Sequence, residues 1–403
     1  MPADAARLRP SWLNRTVIGV GLTSLLSDWS HETATTLLPT FLATMGVAAA
    51  WLGLIEGVSD GLSSVAKMAS GYYTDRLRRR KPIAVAGYIV TALGTAAFGL
   101  ASSPWHVLIA RASAWLGRGV RTPVRKALLA GSVTAQAYGR AFGFERTMDT
   151  AGAIVGPLSA FFLLALLNHR YALLFALTLI PGMLAAATMA FVVKEQTRKP
   201  VPHISFGASL RALPSRYRQF LAAVFVFGVG DFAHSLLILL AMQKLAPMLG
   251  AVKAASLAAA LYVLHNAVYA CFSMITGSLA DRFDKKHLLA AGYMLGALMA
   301  LAVVVLPPDP WTLAAVFAVG GVYLAMEETL EDAFCAELVG PAQHGVAFGT
   351  LATVNGMGDF VSSIALGLLW TNFGTGPAFG YSAVLFVCGS LMVLRISAAR
   401  TAN

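Results

Sequence analysis

Asp28, His31 and Glu32 stand three and four residues apart in the stretch SDWSHE, residues 27–32. On a helix that spacing puts them on one face. The surrounding run reads as membrane-spanning, where each charge costs about 2.5 kcal/mol or more. A surface loop would carry such residues without cost; a buried helix must put them to use. Two neighbouring carboxylates cannot both ionise cheaply in a low dielectric, so one of them is expected to hold a proton near neutral pH. Glu56 and Asp60 repeat the four-residue spacing in the next apolar run, with Lys67 two turns further along. Asp28, Glu32, Glu56 and Asp60 are therefore the candidates for proton coupling. Permanent neutralisation by Lys67 or by an Arg of the fourth run is the competing role.

The motif DWSH (28–31) returns in the second half of the chain as DFAH (231–234). Carboxylate plus imidazole suits Mn, Fe, Co, Ni or Zn, so Asp28, His31, Glu32, Asp231 and His234 form a candidate substrate or metal site. An organic cation resting on Asp28 or Glu32, walled by Trp29 and Phe232, is the other occupant. A third group of charges lies in the fourth and tenth runs. Arg111, Arg118 and Arg125 recur every seven residues, and Arg121, Arg125 and Lys126 fall opposite Glu327, Glu331 and Asp332 when the halves are aligned. The expected role is a gate: Arg118, Arg121 or Arg125 meeting Asp75, Glu145 or Asp149 on the cytoplasmic side, with partners exchanged between states. Arg76, Asp281, Arg282 and Glu328 belong to the same expected network. Asp359 and His265 are isolated, and a lone His in an apolar helix is ordinarily a packing residue.

The elements that must carry these residues follow from composition. The chain has 403 residues, 57% of them hydrophobic and only 12% charged, against about 25% charged in soluble domains. Apolar runs of membrane-spanning length are expected near 16–45, 50–74, 82–102, 104–130, 139–167, 171–194, 217–246, 253–280, 286–306, 310–337, 342–370 and 375–395. This is an all-α integral membrane protein, with the first run retained as an uncleaved helix. The formal charge of +11 is concentrated in DRLRRRK (75–81), KEQTRKP (194–200), RALPSRYR (211–218) and DRFDKKH (281–287). Basic clusters between alternate apolar runs follow the positive-inside pattern and place both termini in the cytoplasm; nucleic acid is not the expected partner. Cys271, Cys335 and Cys388 lie in apolar runs without a CxxC, so neither disulfides nor a Cys metal site is expected. The absence of HExxH and P-loop motifs, with short loops throughout, speaks against an enzyme.

GYYTDRLRRRK (71–81) recurs as GSLADRFDKKH (277–287), and YGRAFG (138–143) recurs as HGVAFG (344–349) at the same offset. The chain is thus read as an N-terminal six-helix bundle (1–194), a cytoplasmic linker (195–216) and a C-terminal six-helix bundle (217–403). Internal repeats of this kind put the substrate site at their interface, near the midplane.

These residues resemble the major facilitator superfamily. Its loop signature between the second and third spans is matched by Gly71, Asp75, Arg76, Arg79, Arg80 and Lys81, with Tyr73 and Arg78 departing from it. The second copy keeps Gly277, Leu279, Asp281, Arg282, Lys285 and Lys286. GAIVGP (152–157) resembles the antiporter signature of that family through Gly152, Gly156 and Pro157; ordinary helix packing also uses this spacing. SDWSHETATTLLP (27–39), LIEGVSDG (54–61) and GRGVRTPVRKALLA (117–130) are similar to a subgroup that includes bacterial nickel-resistance permeases. The resemblance implies a monomeric secondary transporter of a bacterial-type inner membrane, without cofactor, working by alternating access. It further implies proton-coupled antiport exporting a small solute, for which drug-like compounds, siderophores or other organic metabolites are the commoner cargo of that family, whereas the repeated DxxH puts a divalent transition metal first. A non-transporting membrane sensor of the same fold is the remote alternative.

Overall fold

The computed structural model describes residues 12–46, 49–195, 205–232, 234–307 and 309–396, and among them it contains helices and turns but no strand. The first half comprises α1 (Arg15–Thr44), α2 (Ala49–Thr74), α3 (Lys81–Ala96), α4 (Pro104–Ala130), α5 (Tyr138–Leu166), α6 (Tyr171–Leu177) and α7 (Leu179–Phe191). A short α8 (Phe206–Arg211) leads to α9 (Ser215–Gly228), α10 (His234–Leu249), α11 (Ala251–Ala280), α12 (Lys285–Val305), α13 (Pro310–Leu338), α14 (His344–Phe373) and α15 (Thr375–Leu394). Helix occupies every one of the expected apolar stretches. Among the described residues, eight segments are long and apolar enough to cross a membrane by length and composition. α4 is not one of them, because it carries Arg111, Arg118, Arg121, Arg125 and Lys126.

The stretch expected as one span over 217–246 is broken. Residues 229–232 are non-helical, and Asp231 sits in the break rather than on a continuous helix. The cause is local competition for hydrogen bonds: the Asp231 carboxylate accepts from the backbone N–H of Phe232 at 3.0 Å, as short polar side chains do when they displace helix bonding. Within the break the carbonyl of Val229 accepts from Tyr381 Oη at 3.1 Å. Irregular backbone at membrane depth is tolerated only where protein satisfies it in this way.

Within the first half α1 packs along α5 and α7, and α4 along α2 and α3; within the second, α12 packs along α13 and α15, and α9 along α14 and α15. Phe227 stacks between Tyr293 (centroids 3.7 Å) and Phe386 (4.5 Å) at the centre of the second half. The halves meet through α2 against α14 and α5 against α11. Both seams require glycine. A Cβ on Gly71 would stand 2.2 Å from the Gly345 carbonyl oxygen, and one on Gly277 would stand 2.2 Å from that of Gly139.

Contact along the α2 seam continues upward to Thr353, whose Oγ1 lies 3.4 Å from the Ser64 carbonyl. Above it, Gly61 and Gly57, on the same face of α2, meet nothing within 4 Å. Glu56, Asp60 and Asp359 are exposed at that level. The halves are sealed at the end that carries the basic loops and splay apart at the other.

Candidate functional site

α1 and α4 build the first cluster. His31, 1% exposed, is held between two carboxylates: Nδ1 lies 3.4 Å from Asp28 and Nε2 lies 3.0 Å from Glu32. The Arg118 guanidinium reaches the same Nε2 at 3.1 Å, and Trp115 meets the imidazole edge-on at 5.6 Å. Trp115 Nε1 donates to Asp60 at 2.7 Å, while Arg111 lies over the indole and donates to Thr35. Asp28 and His31 are buried, whereas the Glu32 side chain keeps 30% exposure toward the open end. Asp28 and Glu32 therefore do not share a proton directly; an imidazole stands between them. Gly152 and Gly156 let α5 lie on the α1 backbone, where a Cβ on Gly156 would press on Glu32 at 2.7 Å.

This geometry is poor for a metal. The two carboxylates approach opposite nitrogens of His31 and cannot converge on one ion, and Arg118 brings positive charge to Nε2. Among the described residues no group of three or more His, Cys, Asp or Glu is arranged to hold a metal ion. His234 begins α10, but its side chain lies outside the described residues. Phe232 is not a wall of this site: it is buried edge-on against Phe379. Trp29 is held by Ser159 at 2.8 Å.

A second cluster ties the halves together. Arg125 bonds Glu145 at 2.9 Å and Asp149 at 3.2 Å, with Ser24 bridging to Glu145. Arg146 extends it from Asp149 (3.3 Å) to Glu328 (2.8 Å) and Asp332 (3.6 Å) across the seam, and Lys126 bonds Asp332 at 2.6 Å. Arg118 and Arg121 stand outside this network, contrary to expectation. Arg118 belongs to His31, and Arg121, 1% exposed, lies over the Tyr88 ring at 4.2 Å. Arg146 was not singled out in the sequence; its spacing to Asp149 inside an apolar run was the available signal. Lys67 is half-buried and within electrostatic reach of Asp60 and Asp359 but forms no ion pair with either among the described residues. His265 is a packing residue, with Nδ1 on the Phe317 carbonyl at 3.1 Å.

Asp75 does not meet the fourth-span arginines. It pairs with Arg80, and its two oxygens accept from the backbone N–H groups of Gly345 (3.0 Å) and Val346 (2.8 Å) at the start of α14. Burial raises this carboxyl above its ordinary value, and Arg80 with the two backbone donors pulls against that rise. Asp281 repeats the arrangement on the other seam, accepting from Gly139 (2.8 Å), Arg140 N–H (3.1 Å) and Arg140 Nε (2.6 Å). Each carboxylate thus binds the positive N-terminal end of a helix in the opposite half. Arg76 instead stacks on Tyr72 and reaches Ser209, and Arg282 is exposed. Asp75→Asn should weaken the seal, because an amide replaces one acceptor oxygen by a donor facing N–H groups. Spin labels on exposed Arg79 and Phe283, in loops of opposite halves, should then report a longer-distance population; an unchanged distribution would remove Asp75 from the seal.

A model of the Major Facilitator Superfamily matches residues 20–245 and 220–402. An uncharacterised MFS-type transporter of Methanocaldococcus jannaschii is 28% identical over 384 residues, covering 95% of both chains. The multidrug resistance protein MdtH of Shigella boydii is 24% identical over 316 residues, 77% of this chain and 74% of that protein. Among solved structures, FucP, an MFS transporter in the outward conformation, superposes with a TM-score of 0.75 at 16% identity over 96% of this chain and all of that one. The human organic anion transporter MFSD10 gives 0.74 at 15% identity, covering 94% and 99%.

Proposed function

The chain belongs to the major facilitator superfamily and is a membrane transporter, and from that premise we propose a proton-coupled antiporter that exports a small organic solute by alternating access. The observation that carries this reading is His31 gripped by Asp28 and Glu32 beside Arg118, with Glu32 and Arg118 both partly exposed. A buried imidazole between two carboxylates can hold or release a proton at little cost, because charge is redistributed among partners already in contact. Solute competing for Glu32 or Arg118 changes that balance, and binding of solute and proton must then oppose each other reciprocally. With basic loops in the cytoplasm, the sealed end faces inward and the cleft faces outward. Asp75, Asp281 and the Arg146 and Lys126 pairs would break as the halves rock.

Organic solute is preferred to metal because Arg118 stands where a divalent cation would bind. The drug-resistance relative adds support from outside the structure. The test is purified protein in liposomes with a pH-sensitive dye inside and a panel of cationic, anionic and neutral drug-like dyes. At least one should drive proton movement, and Glu32→Gln with His31→Gln should reduce it at least about tenfold, the loss of roughly 1.4 kcal/mol of coupling. Undiminished coupling in the double variant, with normal thermal stability, would remove this cluster from the mechanism.

A further inference from the structure

Most of the acids buried among the described residues have a basic partner: Asp28 has His31, Glu145 and Asp149 have Arg125, Asp332 has Lys126 and Asp75 has Arg80. Three acids of the second half depart from that pattern. Asp231, Glu327 and Glu331 form no ion pair among the described residues, and Asp231 and Glu331 are met instead by neutral donors. Tyr323 Oη donates to Asp231, Tyr293 Oη donates to one oxygen of Glu331, and Asn355 Nδ2 donates to the other at 2.8 Å. Tyr323, Glu327 and Glu331 succeed one another every four residues on α13 and stand in line on one face. Glu327 occupies the middle, 7% exposed, with Oε2 buried and without a hydrogen-bond partner.

Among the described residues the surroundings offer no ion-pair partner. Phe227 stacks on the Tyr293 ring, and Phe386 lies tilted against the Tyr323 ring with centroids 5.9 Å apart. The ionisable groups facing Glu327 are themselves acids: Asp231, Glu328, Glu331 and Asp359. Lys126 acts on Glu331 from a distance, but its ammonium is committed to Asp332 at 2.6 Å. An unpaired buried carboxylate costs several kcal/mol, and three within electrostatic reach of one another repel, so the low-energy form retains protons. A protonated Glu327 also explains its bare oxygen, because a neutral carbonyl can remain unpaired at far lower cost than a carboxylate.

We propose that Asp231, Glu327 and Glu331 form a proton-holding site in the second half, separate from the His31 cluster. Glu327 and Glu331 each precede a residue that bonds across the seam, Glu328 to Arg146 and Asp332 to Lys126. Loss of the proton places negative charge beside both cross-seam pairs, so its occupancy biases the seal. The link to transport rests on the antiport reading above; the presence of the proton does not.

Infrared spectroscopy of purified protein in lipid nanodiscs reads the proton directly. Wild type should show the carbonyl band of protonated carboxylic acid above pH 7. Glu327→Gln, Glu331→Gln and Asp231→Asn should each diminish that band, and the triple variant should abolish the part that survives above pH 7. Because Gln and Asn mimic the neutral acid, thermal stability should hold in these variants, whereas Glu327→Lys serves as a misfolding control. No band above pH 7 in wild type, or a band unchanged in the triple variant, would overturn the proposal. A persistent band in protein that moves no protons with any dye of the panel would retain the site and sink the antiport reading instead.

Discussion

Gly71→Leu combined with Gly277→Leu should hold the protein open at the basic-loop end. In both seams the added side chain would begin 2.2 Å from a backbone carbonyl oxygen of the opposite half, and backbone cannot move aside as a flexible side chain can. Overpacking typically costs about 1–3 kcal/mol per site. Two sites acting on one closure then shift its equilibrium by roughly 30- to 20,000-fold, since each 1.4 kcal/mol is tenfold. Each half keeps its own packing, so thermal stability should change far less than the open fraction. Spin labels at Arg79 and Phe283 should move from a short to a long separation in the double variant. Gly61→Leu, on the same face of α2 but meeting nothing within 4 Å, should leave the separation unchanged. A wild-type distance distribution in the double variant would mean that the glycine seams do not set the closure.

Much of this architecture is readable in the chain because duplicated halves write the same signals twice. The paired DR-containing loops and the YGRAFG/HGVAFG repeat identify the two seams, and Asp75 and Asp281 sit at matching places in them. The same alignment puts Lys126 opposite Asp332, and these residues bond each other at 2.6 Å. A pseudo-two-fold axis brings equivalent positions together near itself, so opposite charge at equivalent sites is a contact signal.

The repeat misleads where the halves differ in local bonding. DWSH and DFAH match in letters, yet Asp28 lies in a continuous α1 whereas Asp231 lies in a break. Composition does not record which carboxylate will capture its neighbour's N–H. The arginine stripe of α4 is ambiguous for another reason. Helical spacing tells which residues share a face, not which helix will lie opposite, so Arg118, Arg121 and Arg125 read alike although they face α1, Tyr88 of α3 and α5. Acids partnered by phenols are harder still, because Tyr in an apolar run ordinarily signals core.

The network of α4 and α5 separates into a part that builds one half and a part that joins two. Arg125 belongs to the first: Glu145, Asp149 and Ser24 are all its neighbours within the N-terminal half. Arg125→Met should therefore be among the most destabilising single changes in the protein. It leaves Glu145, 1% exposed, and Asp149 without their shared guanidinium, and breaking a buried pair from one side costs about 3–5 kcal/mol. For a bundle of this size 1 kcal/mol is about 2–4 °C, so thermal unfolding in detergent should fall by roughly 6–20 °C. Arg125→Lys should recover only part of the loss, since an ammonium cannot span both carboxylates as a planar fork does. Adding Glu145→Gln and Asp149→Asn to Arg125→Met should restore most of it, because the uncompensated charge is then gone. Lys126→Met is the contrasting change. Its partner lies across the seam, so it should lengthen the Arg79–Phe283 separation while shifting thermal unfolding little. If Arg125→Met unfolded within about 2 °C of wild type, less than 1 kcal/mol on this scale, the Arg125 cluster would not be holding this half together. If Lys126→Met lowered the unfolding temperature as far as Arg125→Met, the division between scaffold and seal would be wrong.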